Sequence, residues 1–177
     1  APDSGDQFIV WESNTIFSGG WFWNGPKVKS VEEIKQHYLY TVGRGSTFLP
    51  NFAPDRRGLM TEKVMERANA LGQFVRQFNK SIAETSGNGP VFELKLPKEV
   101  SISHILIQEE LREGQKVLAY KVDARQKDGS WFTVAEGQSI GHKRIHSIEP
   151  FEAEALRLRI TEMADDEIKI KRFAAIQ

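Results

Sequence analysis

Hydrophobic positions along the chain change their period once. In the first 80 residues, short apolar runs alternate with stretches of helical spacing. Gln7–Ser13 has a continuous apolar centre and predicts a buried strand. Ser30-Val31-Glu32-Glu33 has the form of a capping box, with the Ser hydroxyl accepting from the third amide and Glu33 reaching back. Val31, Ile34, Tyr38 and Val42 then recur at helical spacing up to Gly43, which reads as a C-terminal stop. Thr47–Phe52 predicts a second buried strand, with Pro50 awkward inside a hydrogen-bonded ladder. After the polar turn Pro54–Gly58, Thr61 caps a helix over 61–80 whose Val64, Ala68, Leu71, Val75 and Phe78 form one stripe. Strand, helix, strand, helix with helix-length connections is the pattern of parallel βα units.

Beyond residue 80 the helical period disappears. Ser81–Pro90 (SIAETSGNGP) has the composition of a linker. Strands are then expected at Val91–Leu96, Ile102–Glu109, Val117–Gln126, Trp131–Glu136, Ile140–Ile148, Ala155–Thr161 and Ile168–Ile176. Leu156, Leu158 and Ile160 face one way and Arg157, Arg159 and Thr161 the other, while Lys127-Asp128-Gly129-Ser130 reads as a hairpin turn. About seven short strands at even spacing predict an antiparallel sandwich. The expected fold class is α+β by parts, with βαβα units over 1–80, a linker over 81–90 and a β-sandwich over 91–177.

Composition narrows the chemistry. With 177 residues, 40% of them hydrophobic and including 11 Phe and 4 Trp, the chain can fill one ordinary core or two small ones. Its 24 Lys+Arg balance its 24 Asp+Glu, so no global field points to nucleic acid or an anionic membrane. No apolar run approaches the roughly 18 residues of a membrane span. The absence of Cys excludes disulfides, thiolate zinc sites and thiol catalysis. No basic-then-apolar leader opens the chain, which leaves Ala1 compatible with a processed terminus. Asn79-Lys80-Ser81 is a glycosylation acceptor triplet, meaningful only in a secretory pathway.

Two stretches carry a resemblance. The first runs from Trp11-Glu12 through Gly20-Trp21-Phe22-Trp23, Val28–Glu33 and Val42-Gly43-Arg44-Gly45 to Asn51 and Pro54–Leu59. The second comprises Gln108-Glu109, Gly114-Gln115, Trp131, Val134–Gly137, Ile140–Ile145 and Leu156-Arg157-Leu158. Together they resemble the C-terminal part of glycoside hydrolase family 29, the α-L-fucosidases. The first is similar to the last two βα units of that family's (β/α)₈ TIM barrel, and the second to the discoidin-type, galactose-binding-like β-sandwich that follows it. The resemblance implies a fucosylated glycan as partner, no cofactor, a secreted, extracellular or lysosomal location, and Trp21, Phe22 and Trp23 beside the sugar.

The departures from the family pattern are specific. Asn14, Ile16 and Ser18 stand where such enzymes tend to show Asp, Ser and Arg, and Gly19, Asn24 and Pro50 replace a usual Pro, His and Leu. A retaining glycosidase needs two carboxylates about 5 Å apart. In the family both come from earlier barrel strands, as do the sugar-lining histidines, and the counterpart of Glu12 is not the acid/base. The chain by itself is therefore expected to be inactive. Two strands cannot close a barrel and would leave bare edges and apolar faces. Cover is expected from a missing barrel portion in another chain or from a homo-oligomer. The alternative is a non-catalytic carbohydrate-binding or structural oligomer derived from a fucosidase.

Individual residues carry competing readings. Trp21, Phe22 and Trp23 suit the apolar face of a pyranose, or ordinary packing beneath a loop. Arg56 and Arg57 suit a carboxylate or sugar hydroxyl, or a solvated turn with an ion pair to Asp55. Trp131 is expected in the sandwich core. His142-Lys143-Arg144 with His146 suits an anionic glycan or a barrel contact, or a structural pairing with Glu109 or Glu136. His142 and His146 would share a strand face without a carboxylate at metal-like spacing, so no zinc site is expected. Asp165-Asp166-Glu167 is read as a charged turn rather than a calcium loop.

Overall fold

The computed structural model describes residues 11–97 and 100–177. Contacts divide the described residues into two compact units, one comprising residues 11–42 with Ser46–Asn79 and the other Lys80–Gln177 with Gly43–Gly45.

In the first unit, β1 (Glu12–Ile16) and β2 (Thr47–Asn51) pair in parallel, from Glu12 opposite Thr47 to Ile16 opposite Asn51. This strand includes Glu12 and Ser13 of the expected Gln7–Ser13 and runs on to Ile16, while residues 7–10 lie outside the described residues. Helix α1 (Val31–Thr41) starts at the expected box: the Ser30 hydroxyl accepts from Glu33 N (3.2 Å) and Glu33 Oε2 accepts from Ser30 N (2.7 Å). It ends where Val42 N donates to Tyr38 O at 2.9 Å. Helix α2 (Glu62–Phe78) is capped by Thr61, and of its stripe Val64 and Phe78 are buried while Ala68, Leu71 and Val75 are half-buried. Tyr38 meets Phe74 and Phe78 edge-on, and Phe17 lies 4.5 Å from Phe52. Full burial of Ile34 alone stabilises this packing by about 1.5–3 kcal/mol.

Among the described residues, the second unit holds eight strands in two four-stranded sheets. They are β3 (Ala83–Asn88), β4 (Val91–Lys95), β5 (Ser101–Glu109), β6 (Val117–Arg125), β7 (Trp131–Gly137), β8 (Arg144–Glu152), β9 (Ala155–Met163) and β10 (Lys169–Ile176). One sheet has the order β3-β10-β5-β8 and the other β4-β9-β6-β7, and every pairing is antiparallel. Ile105, Ile107, Ile170 and Phe173 from one sheet share a core with Phe92, Leu94, Val122, Leu156 and Leu158 from the other. This is a β-sandwich.

Three expectations are corrected here. The segment 81–90 is not a bare linker. It contributes β3, because Ala83, Thr85 and Gly87 alternate with exposed residues and the strand pairs with β10 along its length. Its Ser, Gly and Asn reflect an edge strand rather than a spacer. The expected strand Ile140–Ile148 begins instead at Arg144, because Glu109 engages Gly141 through both backbone and carboxylate and holds that stretch as a loop. Pro150 is tolerated in β8 because β8 is an edge strand. Finally, Trp131 is not in the core: opposite Arg125 on β7, it lies half-buried on the outward face with the Arg157 guanidinium 4.2 Å from its ring centre.

Candidate functional site

The two parallel strands end side by side at Ile16 and Asn51, so the loops that follow them emerge at one end. Loop 17–29 is closed at its base, where Phe17 N donates to Asn51 O (3.0 Å), Lys29 N donates to Phe17 O (3.1 Å) and Ser18 bridges to Val28. At its tip, Asn24 Nδ2 donates to Gly19 O at 3.0 Å. A Cβ on Gly19 would stand 2.7 Å from Asn24 Oδ1, so the departures at 19 and 24 fit one another. Asn51 Nδ2 donates to Trp21 O at 3.0 Å and ties the aromatic run to the end of β2.

This scaffold presents rings to solvent. Phe22 is 87% exposed, Trp21 is 49% exposed and Trp23 is half-buried. Ordinary packing beneath the loop therefore does not describe Trp21 and Phe22. Ser18, by contrast, is buried and its hydroxyl has no hydrogen-bond partner among the described residues. Glu12 opens β1 and lies at the end away from these loops. The acid carried by the two loops is Asp55, whose Oδ2 accepts from Arg57 Nε (3.0 Å) and Nη2 (2.7 Å). The Arg57 side chain and backbone amide hold its carboxyl below the usual range. Arg56 is exposed and makes no hydrogen bond or ion pair among the described residues.

The remaining candidates lie elsewhere. The basic cluster does not pair with Glu109 or Glu136. Arg144 donates to Ser139 O (2.9 and 3.2 Å), and Lys121 takes Glu136. The Glu109 carboxylate accepts instead from Lys116 N, Val117 N and Gly141 N at 2.6, 3.0 and 3.4 Å, and burial pushes its pKa up. Nor do His142 and His146 share a strand, since β8 starts after His142. His146 Nε2 and Tyr120 Oη are 2.7 Å apart. Burial lowers the His to about 4 and raises the Tyr to about 12, so both are neutral at pH 7. Burial also lowers the Lys143 amine, with Arg172 adding to the effect.

Asp165 accepts from Glu167 N (3.1 Å) and meets Lys116 Nζ at 2.9 Å, a charged turn. Among the described residues no group of three or more His, Asp or Glu is placed to hold a metal ion. Likewise no helix there is long and apolar enough to cross a membrane. Asn79 sits at the C-cap of α2, its amide nitrogen donating to Val75 O at 2.7 Å. Asn24 and Asn51, which set the aromatic loop, were invisible as loop-holders because their partners are backbone carbonyls. The one available signal was the place of Asn51 within the matched stretch.

No family profile matches the chain. It is 23% identical over 202 residues to alpha-L-fucosidase 1 of Arabidopsis thaliana, covering 92% of this chain and 40% of that protein. A crystal structure of a candidate α-L-fucosidase from Bacteroides thetaiotaomicron superposes with TM-score 0.93 and 31% identity, over 98% of this chain and 42% of that one. The fold is shared with a Ruminococcus gnavus family 29 fucosidase solved in complex with fucose, at TM-score 0.88 and 23% identity, over 98% of this chain and 42% of that one. The chain thus spans about two fifths of the length of the relatives it matches.

Proposed function

We propose that this chain, which matches α-L-fucosidases of glycoside hydrolase family 29 in sequence and structure over nearly its whole length, supplies the last two βα units and the C-terminal β-sandwich of such an enzyme. In this reading the first unit belongs to the (β/α)₈ barrel and residues 80–177, with β3 included, form a discoidin-like domain. Trp21, Phe22 and Trp23 border the fucose subsite, since aromatic faces suit the C–H face of a pyranose. The nucleophile and the acid/base that cleave the bond by double displacement come from residues outside this chain. A fucosylated glycan is the substrate and the rest of the barrel is the partner.

One observation carries the proposal: two parallel strands deliver an exposed aromatic loop at their carboxyl end, where barrel enzymes hold their substrates, with no free pair of acids on the two loops among the described residues. The test uses a chromogenic fucoside. The 177-residue chain alone is expected to release no fucose, whereas protein that includes the remaining barrel does. In the latter, Trp21→Ala is expected to lower kcat/KM roughly 10- to 100-fold, a loss of about 1.4–2.7 kcal/mol. Release of fucose by the chain alone would refute the proposal.

Ser18 favours the second reading, a non-catalytic glycan-binding derivative. A buried hydroxyl without a partner among the described residues stands where the family tends to place an arginine, so the loop has been rebuilt without that charge-assisted contact. Glycan binding without turnover by the complete protein would select this reading.

A further inference from the structure

The turn after β2 treats its two adjacent arginines differently. Asp55 N donates to Leu59 O (2.9 Å), Gly58 N donates to Asp55 O (2.9 Å), and the Asp55 carboxylate accepts from Arg57 N (2.8 Å) and Leu59 N (3.3 Å). The same carboxylate takes the Arg57 guanidinium in two contacts. One cation is thereby neutralised in holding the turn. Arg56, between them, is left exposed with no counter-charge among the described residues, and exposed Leu59 and Met60 follow it. Because Ile16 and Asn51 are register partners and Asn51 holds Trp21, this turn leaves the same strand end as the aromatic loop. A turn held by its own hydrogen bonds, carrying one guanidinium without a counter-charge among the described residues at the same strand end as exposed aromatic faces, fits a ligand that is part sugar face and part anion. Little ordering entropy is then lost on binding.

We infer that Arg56 is a specificity-determining residue that selects fucosylated glycans bearing an anionic group, carboxylate or sulfate ester, on the part of the glycan beyond the fucose. The inference rests on the proposed function and adds a substrate class to it. A neutral hydroxyl offers one acceptor, while a carboxylate or sulfate offers two oxygens at the spacing of the guanidinium fork.

Protein that includes the remaining barrel is titrated calorimetrically with non-hydrolysable, thio-linked forms of a neutral fucosylated oligosaccharide and of its sialylated and sulfated counterparts. At least one anionic ligand is expected to bind roughly fivefold more tightly than the neutral one at low salt, with the margin shrinking at 0.5 M salt. Which of the two does so identifies the source of the charge. Arg56→Gln is expected to level all three affinities with no change in Tm, and Arg56→Lys to keep part of the preference. Equal binding of the three, unaltered by Arg56→Gln, overturns the inference and leaves the fucose site standing. Binding of none overturns the fucose site itself and the inference with it.

Discussion

Asp123 and Arg159 meet at 2.6 Å on the outward face of a sheet, yet the aspartate is only 2% exposed. Its neighbours Val122 and Ala124 point into the core, so alternation sends Asp123 outwards. Arg157, Arg159 and Thr133 surround it there, and Trp131 lies against Arg157. The Arg159 contact, with help from Thr133 and Arg157, pulls its pKa down to about 2.

Asp123→Asn keeps the shape and removes the charge. Because both arginines remain partly hydrated, the loss is expected at roughly 1–3 kcal/mol rather than the full penalty of a stranded buried ion. Urea melts at pH 7 measure it. An aspartate depressed on folding stabilises above its unfolded value of 3.8, so the wild-type advantage is lost as pH falls towards about 2.

The Tyr120–His146 contact responds in a different window. His146 is held neutral down to about 4 while an unfolded histidine protonates near 6.5. The unfolded chain therefore takes up the proton first, and this contribution to stability falls as pH drops from about 6.5 to 4. A His146→Gln variant is expected to flatten thermal-melt curves over that range. A Cβ at Gly137 would lie 2.6 Å from Tyr120 Oη. Gly137→Ala is accordingly expected to cost about 1–3 kcal/mol, largely relieved when combined with Tyr120→Leu.

Glu109 carries the opposite sign. Its folded pKa is raised above 4.5 by burial, so its contribution is present in acid and lost as pH rises through the folded value. Glu109→Gln is expected to remove that slope. Glu109→Ala leaves three backbone amides without acceptors and is expected to cost about 3 kcal/mol or more, with faster hydrogen exchange at Lys116, Val117 and Gly141.

Expressed separately, residues 80–177 are expected to give a dispersed NMR spectrum and a cooperative melt, since their core is shared by two sheets. Residues 1–79 keep Trp11 76% and Leu49 45% exposed and are expected to aggregate. A soluble, cooperatively melting fragment 1–79 would contradict this.

What could be read in the sequence was local. Ser30 and Glu33 are three residues apart and specify a cap by themselves, as Lys127–Ser130 specify a hairpin. The alternation of Leu156, Leu158 and Ile160 reports its own buried face. Features decided by distant partners could not be read. Residues 83–88 become a strand only because β10 lies beside them, and Trp131 leaves the core because Arg157, two strands away, takes its ring. The aromatic loop was legible as residues, but its exposure depends on Asn51, 30 positions further on.

The two-stranded parallel ribbon has a left and a right margin, and each offers its own row of backbone donors and acceptors. A lone extended peptide could satisfy one row and would merely move the open margin outward. In the proposed barrel, a body that reaches both margins at once closes into a ring and ends the series. Complementation by short synthetic segments should therefore fail where one large contiguous piece succeeds.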